Sequence, residues 1–231
     1  MRERDKVVCL LLFALLLRFE CGLHSYSGKG TPPKFGDYEA QRHWMEITVG
    51  LPPKLWYSNT TDNDLSYWGL DYPPLSGYQS WLYGKVIQLL DPEAVALGTS
   101  RGYETSFSKL LMRWTVVFSD VVCYIPAAFA ASKVFAAGPS YSLERLGILA
   151  LMVLNPALIV IDHGHFQYNG ISLGLAAGAA AAIASGHPAL GSILYCLSLN
   201  HKQMGLYYAP AFFMYLLASS FQNPSFKVKV R

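Results

Sequence analysis

Apolar and polar positions fall in blocks along this chain. After "MRERDK" comes "VVCLLLFALLL", and the run continues through Arg18, Phe19 and Glu20 to Leu23. A charged start followed by an apolar stretch is the layout of a secretory signal. No small-x-small cleavage site follows, so residues 7–23 read as an uncleaved anchor opening a membrane domain, with a cleaved signal as the alternative. Residues 24–109 are polar and rich in aromatics. Within them Ala40, Trp44, Ile47 and Leu51 share one face of a predicted helix. Leu75, Tyr78, Leu82, Val86 and Leu89 do the same after Pro73-Pro74, a helix-start signal. Trp and Tyr suit the headgroup boundary, so both segments are predicted as amphipathic interfacial helices. A small luminal core is the alternative. From Leu110 the chain turns apolar again, with spans expected near 112–132, 146–162, 170–186, 189–200 and 205–221. Within this region "GLAAGAAAAIASG" is built from small residues that let helix backbones approach closely.

Composition fits the same picture. The chain is 52% hydrophobic and 14% charged, against about a quarter charged in a soluble domain. A net charge of +3 without a long basic run argues against nucleic acid as a partner. Cys9, Cys21, Cys123 and Cys196 are far apart and form no CxxC, so neither zinc nor a disulfide framework is indicated. Basic residues in short connections set the orientation. Arg2, Arg4 and Lys6 precede the first span, Lys133 and Arg145 flank the second connection, and Lys227, Lys229 and Arg231 end the sequence. The positive-inside rule puts all three groups in the cytosol, which six spans satisfy. The expected fold is therefore an all-α multispan membrane protein. A cytosolic N-terminus and first span occupy 1–23, a luminal loop 24–109, five spans 110–221 and a basic cytosolic tail 222–231. Asn59 opens an "NTT" glycosylation sequon in that loop.

With this topology four polar clusters fall on the luminal side: "GDYEAQRHW" (36–44), "WGLDYPPL" (68–75), "IDHGHFQYN" (161–169) and "NHKQM" (200–204). Polar groups are costly against lipid, so clusters sharing one side point to one cavity. Each has a plainer reading. Asp37 could be a helix N-cap with Glu39 in the first turn, Arg42 and Glu46 an ordinary i,i+4 pair, and Asp71 a turn former. His163, His165 and Lys202 could be solvated loop residues. The histidine spacings make no convincing metal site. Arg113 and Asp120 share a helix face seven residues apart; Arg113 can snorkel to the boundary, whereas Asp120 needs a partner, for which Arg18 is the candidate. A luminal carboxylate could act as general base on a sugar hydroxyl, favoured as an anion by a helix N-terminus and by Arg42 or His43. Tyr38, Trp44, Trp68 and Tyr72 could stack on sugar faces, and His165 and Lys202 could attract a lipid-linked phosphate. The residues alone describe a membrane enzyme or carrier with a luminal polar site.

The motifs "SYSGKGTPPKFGDYEAQRHWMEIT", "YWGLDYPPLSGY", "TSRGYE", "IDHGHFQYN" and "KQMGLYYAP" resemble the endoplasmic-reticulum α-1,3-glucosyltransferases of asparagine-linked glycosylation. The resemblance runs from about Leu10 to Phe221. Its first-loop motifs are closer to the members that add the first glucose to the lipid-linked oligosaccharide. "LDYPP" and "HFQYN" are shared with the second-glucose members, and "YNG" leans towards them. The family implies a GT-C type membrane fold in the endoplasmic reticulum, multi-pass, with its active site facing the lumen. It implies dolichyl phosphate glucose as donor and a terminal mannose of the lipid-linked oligosaccharide as acceptor. An inverting transfer would form an α-1,3 linkage without a cofactor or metal. Asp37 matches the family's base, and Asp71 its second loop carboxylate. Glu39, Arg42, His43, Trp44, Trp68, Tyr72, His163, His165, Gln167 and Lys202 are the further residues expected to bind substrate. Members of the family continue beyond a sixth span, so the chain would correspond to the N-terminal half of that fold. An inactive truncated membrane protein or a transporter is the rival. No internal repeat of the kind many transporters show is visible.

Overall fold

A computed structural model describes residues 2–136 and 143–222 of the chain. Among the described residues it is helical, with one isolated bridge between Thr60 and Asn63 and no strand. In chain order the helices are α1 (Glu3–Leu23), α2 (Gly36–Gly50), α3 (Pro74–Leu90), α4 (Ser106–Phe135), α5 (Leu143–Phe166), α6 (Asn169–Ala184), α7 (Pro188–His201) and α8 (Ala209–Gln222). Their starts follow local chemistry. Thr105 opens α4 by accepting from the Ser108 amide while Ser108 Oγ accepts from the Thr105 amide, a reciprocal cap. The turn at Asn155 restarts α5, its side chain accepting from the Leu158 amide ahead of Pro156. Pro188 sits in the first turn of α7, where its missing N–H costs nothing.

Two helices contain π-helical stretches, Asp120–Tyr124 within α4 and Val160–Phe166 at the end of α5. Such widened turns redirect side chains and often mark functional places. Here they carry Asp120, His163 and His165. Among the described residues only α4 and α5, with 30 and 24 residues, are both long and apolar enough to cross a membrane. The other expected spans are helical too, but α1 carries more charge and α6 to α8 are shorter. Large apolar side chains remain exposed on these helices, among them Leu12, Leu16, Phe118, Val122, Leu151, Ile193 and Phe213. Exposed apolar surface on this scale calls for a non-aqueous neighbour.

Three apolar cores hold the helices together. Ala14 of α1 and Ala128 of α4 pack with Leu149 and Val153 of α5. Small residues bring α4, α6 and α7 close, as the sequence led one to expect. A side chain at Gly174 would meet the Cys123–Tyr124 backbone of α4, and one at Gly191 would strike Ile183 of α6. At one end Arg4, Lys133 and Arg145 gather with Glu3 around one depression, so the first two basic groups lie together. Lys227, Lys229 and Arg231 lie outside the described residues.

The segment between α1 and α4 packs around Tyr26, Tyr38, Met45, Tyr83, Ile87 and Val95, in a core shared with Met112 and Val116 of α4 and with Phe166 and Tyr168. A third core joins Trp44, Ile47, Trp56 and Leu70. This corrects the expectation of an interfacial α2, because every residue from Tyr38 to Thr48 is buried. The helix can be buried along this stretch because Arg42 pairs with both Glu39 and Glu46, and Glu46 also accepts from the Gly98 amide and Ser100 Oγ. The expected stripe on α3 is real but faces outward, with Tyr78, Leu82, Val86 and Leu89 exposed. Its inner face includes the small residues Ser76, Gly77, Ser80 and Gly84, with Gly84 close against Met45 and Val49 of α2 and Gly77 against Trp56. That outward apolar face fits a helix lying on a membrane surface.

Candidate active site

Asp37 begins the site. The reading of this residue as an N-cap fails on geometry: Phe35 occupies the cap position in a left-handed conformation, and Asp37 lies inside the first turn. Gly36 also has a left-handed φ of 72°, and a Cβ there would collide with the Ser27 carbonyl. Only glycine fits that position, so the chain must fold back at 27–36 before α2 can start.

The neighbours of Asp37 come from the end of α5. His165 Nε2 lies 2.9 Å from Asp37 Oδ2, and Gln167 Nε2 donates to the same oxygen. The His165 contact requires the proton on Nε2 when the carboxylate is ionised. These residues replace Arg42 and His43, which were expected beside Asp37. Phe166, between the two donors, is fully buried with φ 95°, a conformation costing of order 1–3 kcal/mol. It is pinned by the Tyr38 and Tyr168 rings, at centroid distances of 5.2 and 5.8 Å. The strained residue thus sits between two side chains that converge on one carboxylate. Both bonds fall on Oδ2, so among the described residues Oδ1 carries none. With its side chain 27% exposed, Asp37 can accept a proton from a hydroxyl arriving from outside.

Asp37, Gln41 and Trp44 share a face of α2, and residues 165–169 run alongside it. At the far end Trp44 packs against Tyr72 at 4.9 Å, and Trp44 Nε1 donates to the Trp68 carbonyl. Lys202 Nζ sits 4.9 Å from the Tyr72 ring and donates to Asn169 Oδ1 at 2.6 Å. Gln41, Trp44, Tyr72, Tyr168 and Lys202 line one narrow cleft there. Asp71 is exposed beside it. A carboxylate, two aromatic rings and an ammonium therefore follow one another along a single helix face.

The other predicted residues are placed differently. Glu39, Arg42 and His43 are at most 1% exposed and have no face left for a ligand. Arg42 forms a two-pronged pair with Glu39, each bond 2.7 Å, and a further 2.7 Å bond to Glu46. Its remaining donor reaches the Ala94 carbonyl and Ser100 Oγ. Glu46 also accepts from the Gly98 amide, Ser100 Oγ and His43. Burial alone would raise the Glu46 carboxyl, but the His43 hydrogen bond and the Arg42 charge outweigh it and hold it at about 2. The cluster fastens α2 to residues 94–100, so it supports the site without lining it. His163 is buried against Asp120, 3.0 Å away, and the expected partner of Asp120 is present: Arg18 Nε donates to it at 2.6 Å. Trp68 Nε1 donates to the Lys34 carbonyl at 2.6 Å, holding the loop ahead of Asp37. Asn59 is exposed.

Two residues of the site were not foreseen. Asn169 links Lys202 to the buried Asp162, donating to Asp162 Oδ1 at 2.7 Å. Gln41 stands one turn from Asp37 and shares its face. The i,i+4 spacing could have flagged Gln41, whereas Asn169 matters through a contact 33 residues away.

A scan against family models matches residues 7–231 to the ALG6, ALG8 glycosyltransferase family. The chain belongs to that family. It is 52% identical over 223 residues to the probable dolichyl pyrophosphate Man9GlcNAc2 alpha-1,3-glucosyltransferase of Arabidopsis thaliana, covering 94% of the chain and 41% of that relative. The dolichyl pyrophosphate Man9GlcNAc2 alpha-1,3-glucosyltransferase of Gallus gallus is 48% identical, with 96% of the chain and 44% of the relative covered. For the Saccharomyces cerevisiae protein of that name the figures are 45%, 95% and 40%. The chain thus spans less than half the length of these curated relatives.

Proposed function

We propose that the chain is the N-terminal part of a membrane glucosyltransferase of the GT-C type. It would move glucose from dolichyl phosphate glucose to a terminal mannose hydroxyl of a lipid-linked oligosaccharide, forming an α-1,3 linkage. The observation that carries this reading is Asp37, an accessible carboxylate oriented through one oxygen and free at the other. Family membership and the names of the relatives support the substrate class. In the reaction Asp37 Oδ1 takes the proton of the mannose hydroxyl as that oxygen attacks the anomeric carbon of glucose. The bond from that carbon to the phosphate oxygen breaks, and dolichyl phosphate leaves with the electron pair. Attack opposite the leaving group inverts the β-linked donor to an α-linked product. His165 and Gln167 hold Asp37 in place, and its proton leaves afterwards to water or through His165. Tyr72, backed by the buried Trp44, offers the sugar an aromatic face, and Lys202 a positive charge. Asp71 orients the acceptor, a role that its exposure next to Tyr72 supports.

The topology proposed with it has six spans in the endoplasmic-reticulum membrane and Asp37 on the luminal side. α3 lies on the membrane surface through its outward apolar face. The test is glucose transfer from labelled dolichyl phosphate glucose in microsomes carrying the full-length protein. Asp37→Asn should lower the rate by about 10²–10⁴-fold, the usual contribution of a positioned base. Wild-type rates in Asp37→Asn would overturn the assignment. Offering the acceptor with and without one glucose already attached separates the first-glucose reaction, which the relatives' names favour, from the second.

A further inference from the structure

A cavity of about 270 Å³ opens between the last turns of α1 and the first turns of α4. Its basic side chains are Arg18, Lys29, Lys109, Arg113 and His163, and no carboxylate is among its lining residues. Asp120 compensates Arg18 and His163 from behind. Among the described residues Arg113 has no such partner. It is 6% exposed, and one nitrogen, Nη2, donates to the Gly164 carbonyl at 2.9 Å. Its Nε and Nη1, and Arg18 Nη2, are buried without a hydrogen-bond partner among the described residues. The rings of Phe166 and Tyr26, 5.2 and 5.9 Å from the Arg113 guanidinium carbon, offset part of the burial cost. They supply no acceptor. Arg18 and Arg113 line a cavity without acids while three of their guanidinium nitrogens lie sealed and unbonded behind it, a charge balance that an anion with several acceptor oxygens would complete.

The walls narrow the choice. Phe19 and Trp114 pack edge to face at 5.1 Å, and with Leu110 they carry an exposed apolar track away from the cations. Lys109 lies one turn before Arg113, and Lys29 reaches in from the loop after α1. We propose that this cavity holds the phosphate headgroup of a membrane lipid whose hydrocarbon chain runs along Phe19, Leu110 and Trp114. Arg113 and Arg18 bind the phosphate oxygens, and Lys109 and Lys29 close the mouth. Paired arginines match phosphate geometry better than point charges do, and basic pockets between membrane helices bind lipid headgroups in this way. The site is separate from Asp37, which does not line it. Both meet the same turn, because Arg113 bonds Gly164 next to His165. The inference rests on α1 and α4 lying in a membrane and not on glucosyl transfer.

The test is native mass spectrometry of the purified chain in detergent with dodecyl phosphate, using dodecanol and inorganic phosphate as controls. Dodecyl phosphate should bind one to one and at least about tenfold more tightly than either control, the worth of a single charge-assisted hydrogen bond. Arg113→Gln should weaken it by about tenfold or more on the same basis. Lys29→Gln, in an exposed loop, should weaken it several-fold and decides the matter if the Arg113 variant does not fold. Equal binding of dodecanol, equal binding of inorganic phosphate, or unchanged binding in Lys29→Gln would each overturn the proposal. Asp37→Asn should bind dodecyl phosphate as the wild type does, so failure of the lipid site and failure of the transfer reaction are told apart.

Discussion

Glu46→Gln removes one charge from the buried cluster that fastens α2 and keeps its shape. In the native chain Glu46 is 1% exposed and faces Arg42, His43, Ser100 and the Gly98 amide. Its carboxyl falls from an ordinary 4.5 to about 2, which at 1.36 kcal/mol per pKa unit corresponds to about 3 kcal/mol favouring the charged form in the fold. A glutamine can still accept from the Gly98 amide but offers Arg42 no charge. The expected loss at pH 7 is therefore about 3 kcal/mol, with Arg42 still held by Glu39. A folded pKa below the unfolded one contributes stability that is complete above 4.5 and lost as pH falls towards 2. The gap between wild type and Glu46→Gln should then close over that window. Denaturant unfolding in detergent, followed by tryptophan fluorescence, measures it, since Trp44 and Trp56 pack in the core beside α2. A gap absent at pH 7, or equally large at pH 7 and pH 2, would refute the charge argument.

The remaining predictions concern the membrane half and the topology. Asp120→Asn strips the buried Arg18 of its carboxylate and should cost roughly 3–5 kcal/mol. Adding Arg18→Met should restore much of that, and an additive double variant in denaturant unfolding would show that the pair is not coupled. Asn59 is exposed and should carry an N-glycan when the chain is made in microsomes. Its mobility on a gel should then shift on glycosidase treatment and match that of Asn59→Gln; an unmodified Asn59 would count against a luminal loop.

Much of the framework was legible because it depends on local patterns. Each apolar block became a helix, and the small-residue run became the close contact among α4, α6 and α7. What could not be read was which side of a helix meets which neighbour. The face Ala40, Trp44, Ile47 and Leu51 made α2 look amphipathic, yet its opposite face is buried too. Periodicity counts Glu39, Arg42 and Glu46 as polar and hence exposed. It cannot see that a two-pronged pair with Ser100 and Ala94 behind it satisfies them internally. The stripe of α3 was legible, but not whether it turns outward or inward, because an apolar face towards lipid and one towards a protein core look the same in sequence. Asp37 was singled out by family resemblance, but His165 and Gln167 reach it through a left-handed Phe166 that no local signal announces.

The same difficulty explains the buried arginines. Seven residues separate Arg113 from Asp120, which puts them on one face of α4 but about 10 Å apart along it, too far to pair. Asp120 turns to Arg18 and His163 instead, and its charge is satisfied there. Arg113 lies far enough along α4 to face the end of α5, where it finds a carbonyl and two rings but no acid. A buried guanidinium without a carboxylate is expensive to keep, and one carbonyl and two rings leave its charge unbalanced. The cost makes sense if the missing charge comes from a ligand. An anion bound there would neutralise Arg113 beside the turn that presents His165 to Asp37, so binding in the cavity would steady the donor set of the carboxylate as well.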